Sequence, residues 1–227
     1  MAAERNVSLT TLLERLPAAR VSGDRERSIT SIEMDSRCVR RGALFVAVRG
    51  SRTDGHRYVA DAVANGACAV VVEGAPPPSL PAGVTVASVE DTHRALSALS
   101  AAFFGDPSHA LDVIGVTGTN GKTTTTRMVA AILEAAGIPC GVVGTVGAEL
   151  RSRRWELENT TPLPPALHRL LAEMRDDGAK AVAMEVSSHA LALDRVDDVA
   201  FAIAALTNVT RDHLDFHRTH EAYAAAK

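Results

Sequence analysis

A chain of 227 residues, 46% hydrophobic and 22% charged, has the make-up of an ordinary soluble protein and room for one large or two small domains. A net charge of −3 argues against a general nucleic-acid-binding surface. Three widely spaced cysteines (Cys38, Cys68, Cys140), no apolar stretch long enough to span a bilayer and no basic-then-apolar leader make a reduced, cytoplasmic setting the expectation, without membrane insertion.

In chain order, residues 9–16 predict a short helix stopped near Pro17, and 28–32 a short alternating segment before the polar loop Met34-Asp35-Ser36-Arg37. Residues 44–48 read as a buried strand leading into a donor-rich loop over 49–56. A helix over 58–65 ends at Gly66, and strands over 68–72 and 84–89 flank a proline turn at 75–78. Asp91 caps a helix running to about 104. This alternation predicts a small α/β domain with helices on a largely parallel sheet. Gly105-Asp106-Pro107-Ser108 punctuates the chain, so the expected domains are 1–107 and 108–227.

The second domain opens with an apolar run from Val113 that breaks into a glycine-rich loop ending in Lys122-Thr123-Thr124, before a helix over 127–134. Then come a strand over 141–146, an exposed hairpin arm over 149–158 and a turn at 159–162. An amphipathic helix over 165–175, a buried strand over 181–186 and another strand over 201–206 follow, and a helix begins at Glu221. These strands are too few for a finished nucleotide-binding domain, so the chain reads as the N-terminal portion of a longer enzyme.

A strand, a glycine-rich turn and a helix start together form a phosphate cradle. Glycines let backbone N–H groups approach phosphate oxygens, Lys122 would reach the β/γ-phosphates, and the Thr123 hydroxyl would bind Mg²⁺. The general pattern G-x-x-x-x-G-K-S/T is met imperfectly, because Val116 stands where its first glycine belongs. Glu185 ends an apolar strand, where a carboxylate is costly to bury without a cation or donors. It is either the acidic partner of that Mg²⁺ or a strand-end carboxylate reaching water. Asp212, His213, Asp215 and His217 have the makings of a zinc cluster, but no glutamate base lies between the histidines. Beside a phosphate loop, one of these histidines as a Mg²⁺ ligand is the better reading.

Four motifs, GTNGKTT (118–124), NTTP (159–162), MEVSSHAL (184–191) and TNVTRDHLDFH (207–217), occur in the order and spacing of the Mur ligases. MDSR (34–37), GALFVAVRG (42–50) and DGHRY (54–58) resemble the UDP-binding domain of that family. The resemblance covers nearly the whole chain and implies an α/β fold: a UDP-MurNAc-binding domain over 1–107 and an incomplete ATP-binding domain over 108–227, the C-terminal Rossmann-like domain being absent. The implied activity is ATP-dependent addition of a diamino acid, diaminopimelate before lysine, to UDP-MurNAc-L-Ala-D-Glu through an acyl phosphate, by a monomeric enzyme. The implied cofactors are ATP and Mg²⁺ at two sites. Carried over by position, Gly118, Thr119, Asn120, Gly121, Lys122, Thr123 and Thr124 hold the ATP phosphates. Thr123, Glu185 and His213 match metal positions. Met34 and Ser36 match the uridine site, and Ser51, Arg52 and Thr53 a backbone-contact loop. Asn159, Thr160, Thr161, Ser187 and Arg195 match contacts to the sugar-peptide, while Leu193 stands where some relatives carry a polar residue. EAYAAAK (221–227) resembles the segment whose lysine takes up CO₂, so Lys227 is expected as a carbamate ligating metal; its composition alone reads as a solvated helix lysine. Folylpolyglutamate or cyanophycin-synthetase-like ligases, which share GTNGKT-type loops, and a nucleotide-binding module without ligase activity are the alternatives.

Overall fold

The structure, a computed structural model, describes residues 5–50, 53–75, 80–81 and 83–227. The expected contacts of Ser51 and Arg52, and the proline turn at 76–78, lie outside the described residues. The chain divides into two compact units, Met1–Phe103 and Phe104–Lys227.

In the first unit, β1 (Val7–Ser8) leads into α1 (Leu9–Leu13), β2 (Arg20–Ser22), β3 (Ser28–Ile29), β4 (Ser31–Glu33) and β5 (Ala43–Val46). Then come α2 (Val59–Ala64), β6 (Ala67–Glu73), β7 (Thr85–Val89) and α3 (Thr92–Phe103). The main sheet runs β2-β7-β6-β5-β4, parallel except for the β2 edge, and β1 pairs with β3. β5 and β6 are apolar because both faces are covered: Phe45, Val70 and Val72 pack with Val59 and Ala62 of α2. β2 carries no readable pattern over its three residues, and pairing with β7 alone makes it a strand. The first helix is shorter than its pattern, because its last N–H groups close three-residue turns toward Pro17.

The second unit comprises β8 (Asp112–Thr117), α4 (Lys122–Ala135), β9 (Cys140–Gly144), β10 (Gly147–Leu150), β11 (Arg153–Trp155), α5 (Pro164–Asp176) and β12 (Ala181–Glu185). It ends with α6 (Ser188–Ala192), β13 (Phe201–Leu206), α7 (Leu214–His217) and α8 (His220–Ala225). Its sheet runs β11-β10-β9-β12-β8-β13. β9, β12, β8 and β13 are parallel, and the β10–β11 hairpin extends one edge antiparallel. Alternation along β12 sends Val182 and Met184 to one core with α5 residues, and Ala181 and Ala183 to another with Ala130 of α4. The chain leaves β8 toward β9 on one side and later returns on the other as β13. Such a reversal opens a crevice at the carboxyl ends of the strands.

Two differences from the sequence pattern matter for the site. α4 begins at Lys122, not 127: four consecutive threonines are poor helix formers, yet Gly121 caps the helix and the Thr126 hydroxyl donates back to the Lys122 and Thr123 carbonyls. α7 has no sequence signal, being a single turn framed by left-handed His213 (φ 50°) and Arg218 (φ 67°).

Candidate phosphate and metal site

Glu185 pairs with Val116 in the β12–β8 register, so its carboxylate lies beside the start of the glycine-rich loop. Val116 is fully buried in strand β8. The glycine missing there is replaced two residues on by Gly118 (φ 141°), where a Cβ would collide with the Thr207 hydroxyl. Gly121 follows in the left-handed region, and the first N–H groups of α4 open toward the loop's concave side. The Lys122 amine folds over the loop, donating to the carbonyls of Gly118 (2.8 Å) and Thr119 (3.0 Å).

Glu185 is 1% exposed, which removes the reading of a carboxylate reaching water. Its Oε1 accepts from the Thr123 hydroxyl and the Thr145 N–H, both at 2.9 Å, and its Oε2 from the Thr145 hydroxyl at 3.1 Å. Three donors offset the desolvation of the charge. Gly144 makes room for it, since a Cβ there would overlap the carboxylate. Thr145, at the end of neighbouring β9, was missed in the sequence; the glycine just before it at a strand end was its only signal.

The N–H groups of Thr119 and Asn120 are taken by Asn208, at 2.9 Å to its carbonyl and 3.1 Å to its side-chain oxygen, while Asn208 Nδ2 and the Thr207 hydroxyl donate to the Asn120 carbonyl. They shape the loop; the N–H groups of Lys122, Thr123 and Thr124 at the helix start remain for an anion.

Lys227 comes back to the same loop. Its amine donates to the Thr117 hydroxyl (3.2 Å) and the Gly118 carbonyl (3.1 Å). Burial, with Lys122 nearby, pushes its pKa down to about 8, so this is not the solvated helix lysine that composition suggests. The His213 ring packs on His189 (4.8 Å between centroids) and lies 6.4 Å from the Tyr223 ring, and among the described residues no hydrogen bond or ion pair joins it to Glu185. Among the described residues no group of three or more His, Cys, Asp or Glu is gathered as a metal cluster; in 212–217, His217 is buried against Tyr223 while Asp215 is exposed.

Of the sugar-peptide set, Thr161 is buried, its hydroxyl donating to the Glu185 carbonyl and accepting from the Ser187 N–H. It braces the strand end. Arg195 donates to the Thr161 carbonyl (3.3 Å) and Thr160 meets Thr145 (3.1 Å between hydroxyls), so these residues gather around Glu185; Asn159 is exposed.

In the first unit, Met34 and Ser36 follow β4 and Thr53 follows β5, so both loops leave the carboxyl ends of adjacent parallel strands. Ser36 is buried, and its carbonyl accepts from Asn65 (2.9 Å). The Arg37 guanidinium beside it holds Asp35 below the usual carboxylate range. The Thr53 hydroxyl donates to the Tyr58 hydroxyl (3.2 Å).

Two family models match the chain: the Mur ligase family catalytic domain over residues 28–104 and the Mur ligase middle domain over residues 116–227. The UDP-N-acetylmuramoyl-L-alanyl-D-glutamate–2,6-diaminopimelate ligase of Chlorobium phaeobacteroides is 45% identical over 97% of this chain, which covers 44% of that protein. Its namesake in Chlorobaculum tepidum is 49% identical over 92% of this chain and 41% of its own length. A solved structure of a ligase of that name is similar, with a TM-score of 0.77 and 28% identity, over 97% of this chain and 44% of that one. The MurF ligase of Thermotoga maritima in complex with ADP has a TM-score of 0.58 at 25% identity, over 86% of this chain and 41% of that one. The chain therefore spans less than half the length of the relatives it matches.

Proposed function

The chain belongs to the Mur ligase family, and on that premise we propose that it forms the acceptor- and ATP-binding part of a ligase adding 2,6-diaminopimelate to UDP-MurNAc-L-Ala-D-Glu. The observation that carries the reading is the Glu185 carboxylate, buried at the mouth of the loop with the Thr123 hydroxyl on one oxygen. Residues 1–107 would take the UDP-linked acceptor, through Met34, Ser36 and the Ser51–Thr53 loop. Residues 108–227 would take ATP, with Asn159, Thr160, Ser187 and Arg195 facing the sugar-peptide. A monomer resident in the cytoplasm, where its nucleotide substrates are made, fits this reading.

The residues fit Mg²⁺, a hard cation that prefers oxygen: Thr123 and Glu185 would hold one ion, and His213 with Lys227 as a carbamate a second. Mg²⁺, when bound, neutralises charge on the phosphates. An oxygen of the substrate's D-glutamate carboxylate attacks the γ-phosphorus, the bond to the β-phosphate oxygen breaks, and ADP leaves. The amine of diaminopimelate then attacks the acyl carbon, loses a proton, and expels phosphate. Lys122 leaves its two carbonyls to follow the phosphate oxygens, and the helix N–H groups orient them. Lys227 adds CO₂ through its neutral amine and releases a proton; with a pKa of about 8, roughly a tenth is neutral at pH 7.

Thermal shift tests the acceptor assignment. UDP-MurNAc-L-Ala-D-Glu should raise the melting temperature and folates should not; the reverse would favour the folate-type ligase. Residues 1–227 alone should form no ADP in response to diaminopimelate, and substrate-dependent ADP formation by them would contradict the assignment of the amine to another domain.

A further inference from the structure

Tyr223 lies in the EAYAAAK segment, four residues before Lys227, and is 1% exposed. Its phenol oxygen lies 2.9 Å from the Thr119 hydroxyl, Lys227 Nζ lies 4.9 Å from its ring centroid, and the His217 ring meets it edge-on at 5.3 Å. We propose that Tyr223 is a positioning residue for the phosphate site, with its hydroxyl holding Thr119 in place. The inference rests on the ATP-site reading above.

The Thr119 oxygen accepts from the Thr210 N–H (2.9 Å), and its hydroxyl lies within reach of both the Thr210 carbonyl (3.3 Å) and the Tyr223 oxygen (2.9 Å), so the Tyr223 hydroxyl joins a network that fixes the Thr119 side chain. Thr119 in turn presents one of the two carbonyls that hold Lys122, so displacing it moves an acceptor that aims the phosphate-binding amine. A tyrosine serving only as core filler has no need of a hydroxyl aimed at the loop.

Tyr223→Phe removes the hydroxyl, keeps the ring and leaves the Thr119 hydroxyl the Thr210 carbonyl as acceptor, so the variant should fold; circular dichroism melting checks that. The test is a double-mutant cycle on Mg·ATP binding by calorimetry, using wild type, Tyr223→Phe, Thr119→Val and the double variant. Tyr223→Phe should weaken binding about 3–10-fold in the wild-type background and by less than about twofold beside Thr119→Val. Equal losses in both backgrounds, or none, would overturn the positioning role, because a merely structural tyrosine acts independently of Thr119. Failure of the wild type to bind Mg·ATP would instead overturn the ATP-site reading, and this inference with it.

Discussion

At the scale of the residue, Glu185 is held through its two carboxyl oxygens, and all three of its hydrogen-bond partners there donate. Glu185→Gln keeps the shape but turns an N–H₂ toward donors and removes the charge. Nucleotide affinity measured with and without Mg²⁺ should then lose at least about tenfold of its metal dependence, within the range for losing a charged contact. Lys227→Ala should abolish diaminopimelate-dependent ADP formation in the protein that continues past residue 227, with partial return on adding short carboxylates; full activity without them would remove the carbamate role. Lys122, Thr123 and Glu185 were legible in the sequence because each sits at a fixed offset from an apolar run. Thr145 was not, since 40 residues separate it from Glu185 and only the adjacency of β9 and β12 joins them.

At the scale of the element, β13 is an edge strand with Ile203 and Leu206 each 58% exposed. An apolar edge offering unpaired backbone groups is a template for pairing with another chain. Residues 1–227 should therefore associate as concentration rises, and Ile203→Lys should hold the sedimentation coefficient at the monomer value; equal behaviour of the two proteins would refute the edge as the cause. α4 shows the opposite relation of pattern to structure. Its threonine-rich first turn hides a helix that loop geometry and Gly121 impose, so propensity placed its start at 127 where the helix begins at Lys122, about one and a half turns late.

At the scale of the whole molecule, each unit carries its own sheet and core, and a buried titratable group sets the acid sensitivity of the second. His168 on α5 is fully buried with neither ring nitrogen partnered, and burial, against the pull of Asp106, lowers its pKa to about 4. Between about pH 6.5 and 4 the unfolded chain binds a proton that the folded one refuses, so stability falls as pH falls through that window, by about 3 kcal/mol at most. Urea unfolding at pH 7.5 and pH 5 should show about 2 kcal/mol of that loss in wild type and a smaller one in His168→Leu. An unchanged pH dependence in the variant would place the sensitivity elsewhere.

The sequence by itself determined what is local in the chain: the alternation of apolar runs and helices that makes both units α/β, the Gly-Lys-Thr turn, and a carboxylate at the end of a buried strand. Each follows from spacing within a dozen residues. Only the tertiary structure decided that the glycine missing at Val116 reappears as Gly118, that Thr119 and Asn120 brace the loop against Asn208, and that Lys227 returns to Gly118 across 109 positions. Those contacts depend on strand order. Placing β8 between β12 and β13 brings three strand ends together, and no periodicity along the chain encodes which strands become neighbours.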